Sequence, residues 1–388
     1  MSQIFDVAVI GAGSIGTSCA YYNAKKGARV VLIDAGDIAD STSSRSDGNI
    51  LVCDKQPGFD AIFAKASQDM FPKLENELEY KIEWTQKGSL YLTETEEEFE
   101  IASKFCSDMK ECGIQMRMMD HQEVLDDEPY LAKDVYGGLE TISDGSVYPI
   151  GLAYGFALAA ERLGCVLSLH NPVTGIQKEE DYFMIQCKNG DILAKNIVNA
   201  CGVRAPFIGK MVGLDIPIQA RQGQILVSEQ TFRVARRKVH EFGYMLTKFQ
   251  SGSYERPVSE RVKRNEVAFV FEPTASNNFL IGSSRSFVGE DIRSEIDVMQ
   301  ALAERAIRFF PVIADIKVIR AYSGLRPFTP DHMPIVSDTP VKGFYIAAGH
   351  EGDGIGLSPI TGTCMADMIA GDKTFMDLSL LSFQRFCS

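Results

Sequence analysis

Three ionisable side chains, His350, Glu351 and Asp353, stand among glycines in "GHEGDGIGLSPITG", residues 349 to 362. Such residues in one loop suit a metal site, an acid/base pair, or a loop whose glycines let backbone amides approach a ligand. His350 and Glu351 are adjacent, which is poor spacing for joint chelation, and no further His or acid cluster lies near them in the chain. No metal is therefore expected, and Gly349, Gly352, Gly354 and Ile355 are read as acting through their backbone. A second glycine cluster, "GAGSIG", has a more specific pattern. Gly11 permits a tight turn, Gly13 lets a pyrophosphate approach the backbone, and Gly16 lets a helix pack closely on its strand. Ala12, Ser14 and Ile15 complete that turn, where helix amides and partial positive charge suit phosphates. Asp34, followed by Ala35, ends the next strand and is placed to accept hydrogen bonds from an adenosine ribose.

These residues need elements to position them. "FDVAVIGAG" predicts a buried strand entering the glycine turn, "TSCAYYNAKKG" a helix stopped by Gly27, and "ARVVLID" a second strand: a βαβ unit. Thr95 is an expected N-cap with Glu98 three residues on, opening a helix that Gly113 stops, and its acidic run is read as a solvated helix start. Residues 139 to 170 run from a strand through an Asp-Gly turn to a small-residue helix and another strand. Residues 182 to 201 predict a hairpin turned by Asn189 and Gly190, then a strand. A largely antiparallel sheet is expected over 217 to 290, an amphipathic helix over 295 to 310, and strand, glycine loop and helix from "GFYIAAG" onward. Nucleotide-domain pieces thus occur at the start, middle and end, separated by β-rich insertions. The fold class is α/β, with a Rossmann-like domain interleaved with a β-rich α+β domain.

Composition narrows the function. The 388 residues are 45% hydrophobic and 23% charged, which is globular. With 39 basic against 52 acidic residues the net charge is -13, which argues against nucleic acid as a partner. The N-terminus has no basic region followed by a long apolar stretch, and no later segment has the apolar run of a membrane span, so a soluble cytoplasmic protein is expected. The nine cysteines are scattered with no CxxC pair, as free thiols of a reducing compartment would be.

The βαβ unit by itself leaves NAD and FAD open. The decision comes from a resemblance carried by "DVAVIGAGSIGTSCAYY", "DSTSSRSDGNI", "DGSVYP", "NIVNACGVRA", and above all "GLRPFTPDHMPIV" followed by "GFYIAAGHEGDGIGLSPITG". In this order the chain resembles the D-amino-acid oxidase superfamily of FAD-dependent oxidoreductases over most of its length. The resemblance implies a glutathione-reductase-like FAD domain made of 1–80, 140–215 and 320–388, with a substrate domain of 81–139 and 216–319. It implies FAD contacts for Ser41, Thr42, Ser43, Ser44, Arg45, Gly48 and Asn49, for Val173 at the adenine, for Cys201 and Gly202, and for the loop Gly349 to Ile355 including His350 and Asp353. The helix beginning near Ser358 would aim its positive end at the flavin.

Arg326 in "GLRP" matches the arginine that pairs with the substrate carboxylate in the glycine-oxidase branch, and a guanidinium fork suits two carboxylate oxygens. Tyr244, Tyr254 and Tyr322 are candidates to line the substrate pocket. The implied activity is oxidation of an amino or imino acid (proline-like, glycine-like or D-amino acid) by hydride transfer from its α carbon to flavin N5. The "GHEGDGIGLS" loop lacks the arginine that glycine oxidase places there and looks closer to the dehydrogenase subunits of the family. Such subunits pass electrons to partners carrying iron-sulfur clusters or a second flavin. The alternatives are a self-sufficient amino- or 2-hydroxy-acid oxidase producing peroxide, and a non-catalytic FAD-binding subunit.

Overall fold

The run Val7 to Ile10 in β1 (Ile4–Ile10) is buried throughout, as a parallel strand covered on both faces must be. The computed structural model describes residues 4–249 and 254–387. Residues 1–3, 250–253 and 388 of the expected domain segments lie outside them. β1 pairs in parallel with β2 (Val30–Ile33) on one side and with Ile192–Asn199 on the other. Val166–Ser168 continues the parallel order beyond β2, and Phe344–Ala348 runs parallel to Ile192–Asn199. The strands Val173–Lys178, Phe183–Cys187 and Ile335–Asp338 add antiparallel pairs, which makes eight strands.

Helix α1 (Ser14–Lys25) packs against the helices Pro149–Arg162 and Ser358–Ala370. Its contact with the last of these is close because Gly362 has no Cβ; one built there would strike Ser18, whose Oγ donates to the Ser358 carbonyl at 2.7 Å.

The second sheet also has eight strands, in the order Val318–Phe328, Gln219–Ser228, Phe279–Gly282, Val270–Pro273, Lys238–Glu241, Ser89–Thr93, Gly137–Thr141, Met116–Met119. Lys238–Glu241 runs parallel to Ser89–Thr93, and the other neighbours pair antiparallel. Phe269, Phe271, Phe309 and Phe310 stack into a core where the helix Ile296–Phe309 covers this sheet. The expected boundaries at 140 and 320 cut through two of its strands, Gly137–Thr141 and Val318–Phe328. Backbone pairing assigns a strand to a sheet, and Arg326 therefore lies on the second sheet although its sequence neighbours lead back to the first. Between the strands of 217 to 290, the helices Phe242–Phe249 and Glu260–Arg264 interrupt what the sequence presents as continuous sheet.

Thr95 caps the helix Glu96–Glu111 as expected, accepting from the Glu98 backbone N–H at 3.1 Å. The acidic helix start is not wholly solvated, however. Glu98 is buried, the Tyr254 hydroxyl donates to it, and burial pushes its carboxyl up to about 7. All nine cysteines are free thiols. No helix of the described residues is long and apolar enough to cross a membrane.

Candidate active site

A cavity of about 630 Å³ is lined by residues of both sheets. On the first-sheet side the wall is backbone. Gly11 has φ +109°, and a Cβ there would lie within 2.8 Å of the Ala200 carbonyl carbon. A Cβ on Gly16 would fall on the Gly11 carbonyl oxygen, so turn and helix can meet only as glycines. Gly13 is the N-cap of α1 and has no side chain of its own to cap the first amides, and Gly13, Ser14 and Ile15 line the cavity. The Ser14 N–H donates to the Ser43 hydroxyl at 3.1 Å. Asp34 accepts from the Ala12 N–H at 2.6 Å and the Gly36 N–H at 2.8 Å. It thus braces the glycine turn as well as facing the cavity, and a carboxylate retains further acceptor sites.

Most of the sequence-predicted cofactor residues meet here. Gly11, Gly13, Ser14, Ile15, Asp34, Ala35, Ser41, Thr42, Ser43, Arg45, Asn49, Val173, Cys201, Gly202, Arg326, Gly349, His350, Gly352, Asp353, Gly354 and Ile355 all line the cavity. Ala12, Gly16, Ser44 and Gly48 stand behind this lining. Gly16 and Gly48 are required by close packing, and Ala12 carries the amide that Asp34 binds. Thr42 donates to the Leu325 carbonyl at 2.8 Å and Arg45 to the Ser323 carbonyl at 3.2 Å, tying the turn Thr42–Arg45 to the second sheet. Cys201 Sγ donates to the Ile10 carbonyl, and burial with Asp34 nearby holds its thiol protonated. Tyr244 lines the cavity; Tyr254, committed to Glu98, and Tyr322 lie outside the lining.

The opposite wall is made of side chains. Arg221, Gly223 and Ile225 alternate along Gln219–Ser228, so all three face the cavity. Arg326 pairs in register with Arg221, and its guanidinium lies across Gly223, where a Cβ would collide with it. Like charges opposite each other on adjacent strands repel, and the two guanidiniums are handled differently. Arg221 is ion-paired to Glu351 and lies over the Phe328 ring at 4.7 Å. Arg326 donates to the Ser284 carbonyl at 2.9 Å and to the Ser283 hydroxyl, and has no carboxylate partner among the described residues. Burial and the Arg221 charge both work against its protonated form.

The charged residues of the 349–357 loop prove to be anchors. Glu351 binds Arg221 and also lies 2.8 Å from His332 Nδ1. Asp353 pairs with buried Lys55 at 2.6 Å, which also meets Asp54 at 2.8 Å. Burial opposes the Lys55 charge, but Asp353, Asp54 and Asp60 outweigh it and hold the ammonium well above its ordinary pKa. His350 is buried with Nε2 3.0 Å from Thr361 Oγ1, and burial pulls its pKa down to about 4, so it is neutral near pH 7. Sequence reasoning missed Lys55, Arg221, His240 and Arg285. The alternation Arg221, Gly223, Ile225 was the available signal for one of them. His240 is buried, its Nε2 has no hydrogen-bond partner among the described residues, and burial followed by the Lys238 charge lowers its pKa to about 3. Among the described residues no group of His, Cys, Asp and Glu is placed to hold a metal ion.

Comparison with known proteins gives one consistent result. The family model described as FAD-dependent oxidoreductase, DAO, matches residues 6–368. Glycine oxidase of Geobacillus kaustophilus is 26% identical over 393 residues, covering 99% of this chain and 98% of that protein. Its crystal structure superimposes with a TM-score of 0.87 at 25% identity over 99% of both chains. One opine oxidase subunit, from Agrobacterium tumefaciens, is 27% identical over 403 residues, covering 98% of this chain and 97% of that one. The crystal structure of L-proline dehydrogenase from P. horikoshii shares the fold, with a TM-score of 0.88 at 21% identity over 100% of this chain and 98% of that one.

Proposed function

The chain belongs to the DAO family of FAD-dependent oxidoreductases, and on that premise we propose that it oxidises an amino or imino acid as a dehydrogenase subunit passing electrons to a partner protein. The residues present fit FAD. The cradle at Gly11 and Gly16 is one that any Cβ would fill, and beside it lie open helix amides, a carboxylate and small hydroxyls. In this reading Gly11, Gly13, Ser14 and Ile15 hold the pyrophosphate, Asp34 and Ala35 the ribose, and Val173 the adenine. Thr42, Ser43, Arg45, Asn49 and the Gly349 to Ile355 backbone hold the flavin ring.

When bound, FAD supplies the two-electron acceptor for hydride leaving the substrate α carbon. The chain's own residues position the substrate. Arg326 takes the carboxylate in a two-pronged grip and so fixes the α carbon. Neutral His240 lies in the cavity wall without adding a charge beside the substrate amine. Ile225, Met245 and Leu357 keep the lining partly apolar, which limits water. The product is an imine, which water hydrolyses to a keto acid, or a cyclic imine from a proline-like substrate.

The observation that carries this reading is the Arg326 guanidinium at the cavity wall, held by two serines and without a carboxylate partner among the described residues. Resemblance to a protein that is one subunit of an opine oxidase, and the absence of an arginine in the 349–357 loop, support electron transfer to a partner. The test is an anaerobic screen of amino, imino and 2-hydroxy acids against the FAD-loaded protein. Flavin bleaching by an amino or imino acid, with little peroxide on re-aeration, is the expected result. Rapid peroxide formation would replace the dehydrogenase with an oxidase. No bleaching by any of these acids would leave a non-catalytic FAD-binding subunit.

A further inference from the structure

Three guanidiniums line the side-chain wall of the cavity, those of Arg221, Arg285 and Arg326, and among the described residues only Arg221 is matched by a carboxylate. Arg221 has Glu351. Arg326 has two serines and, under the proposed function, the substrate α-carboxylate. Arg285 has no ion pair and no hydrogen bond to any described residue; it lies over the Tyr244 ring, 4.4 Å from its centroid. The neighbouring Arg256 lies 5.1 Å from the centroid of the same ring, but its guanidinium is satisfied by Glu241 at 2.7 Å and the Val267 carbonyl at 2.9 Å. Burial, then the charges of Arg326 and Arg221, work against the charged form of Arg285. Of the acids near these arginines, Glu351 is committed to Arg221 and His332, Asp353 to Lys55, and Glu241 to Arg256 and Arg305, while Asp47, which also lines the cavity, binds Asn49 at 2.7 Å and its charge favours protonated Arg326, not Arg285. Tyr244 and Arg285 come from different segments, the helix Phe242–Phe249 and the chain just past the strand Phe279–Gly282, so the stack is a tertiary feature.

We propose that Arg285 receives a second anionic group on the substrate, so that the preferred substrates are 2-amino dicarboxylic acids with a primary or secondary amine. This rests on the reading of Arg326 as the α-carboxylate receptor. A guanidinium offers five N–H donors in a planar fork, and one left unpaired in a desolvated site opposes binding of any ligand that cannot satisfy it. A substrate with an apolar side chain would do that to Arg285, whereas one with a distal carboxylate pairs it. In a chain of net charge -13, this is a local positive patch inside a generally acidic molecule, and it selects dianions by position rather than by overall field.

Glutarate and butyrate are both short straight-chain acids, differ in the second carboxylate, and have no amine to oxidise. The FAD-loaded protein is titrated with each at low salt, and perturbation of the flavin absorbance gives the dissociation constants. Glutarate is expected to bind at least about 30-fold more tightly than butyrate. The preference is expected to fall to within about threefold in Arg285→Gln and to recover in part in Arg285→Lys, which restores charge without the fork. If Arg285→Gln does not retain FAD, the Arg285→Lys titration carries the comparison. Anaerobic bleaching is followed in parallel with glutamate and aspartate of either hand against norvaline and alanine, and the acidic members are expected to react faster. Equal affinity for glutarate and butyrate, or a preference that survives undiminished in both Arg285 variants, overturns the proposal. A glutarate preference with no bleaching by any amino acid keeps the Arg285 site and removes the amino-acid reading. Bleaching by monocarboxylic amino acids with no glutarate preference removes the Arg285 site and keeps that reading.

Discussion

The two walls of the cavity are built on opposite principles. The glycine wall works by what it lacks: at Gly11 and Gly16 there is no room for a Cβ, and the groups it presents are amides fixed by the turn and by Asp34. The arginine wall works by side chains that strand register brings side by side, Arg221 beside Arg326, with Glu351 from a distant loop neutralising one of them. A backbone wall tolerates almost no change but has little to specify beyond its ligand's shape. A side-chain wall can be altered one group at a time, and this is where substrate choice resides.

Substitutions can break this contrast in a graded way. Gly16→Val is expected to have the largest effect, because backbone meets backbone and nothing can yield. The cost exceeds about 3 kcal/mol, and the purified protein should carry almost no flavin by its absorbance ratio. Glu351→Gln comes next. It leaves Arg221 as a buried charge with a weakened partner, and thermal unfolding should show a loss of about 3 kcal/mol. Arg326→Gln should keep its flavin yet lose roughly 100-fold in kcat/KM for the preferred amino acid, the value of a charge-assisted carboxylate grip. A fall of less than threefold would move the substrate away from this wall.

The smallest effect is one of pH. His350 titrates near 6.5 when unfolded and near 4 when folded, so the folded state binds fewer protons between those values. Its contribution is present in full above about pH 6.5 and is lost as pH falls toward 4. The stability advantage of the parent over His350→Gln should therefore shrink by roughly 2 kcal/mol between pH 7.5 and 4.5. Melting curves across that range check it.

The same contrast explains what could be read in the sequence. The βαβ unit, the glycine turn and Asp34 were legible because the contacts of Gly16 with Gly11 and of Asp34 with Ala12 are made within one supersecondary unit, with residue types that have a single physical use there. The boundary residues were less so: Val318–Phe328 resembles its neighbours in composition, but pairing with Gln219–Ser228 places it in the other sheet. Glu351 and Asp353 read as features facing the flavin, and the structure commits their carboxylates to Arg221 and Lys55. Tyr254 read as a pocket residue, and its hydroxyl goes to Glu98. In each case the deciding partner is remote in sequence, and an Arg in a strand carries no local mark of whether an acid awaits it.

A crystal structure of the FAD-loaded protein with glutarate bound tests the division between the two walls most directly. The pyrophosphate is expected on the Gly11 to Ile15 turn, one carboxylate within hydrogen-bond distance of the Arg326 guanidinium and the other on Arg285. A glutarate bound elsewhere, with Arg326 still held only by Ser283 and Ser284 and Arg285 still stacked on Tyr244 without an anion, would contradict it.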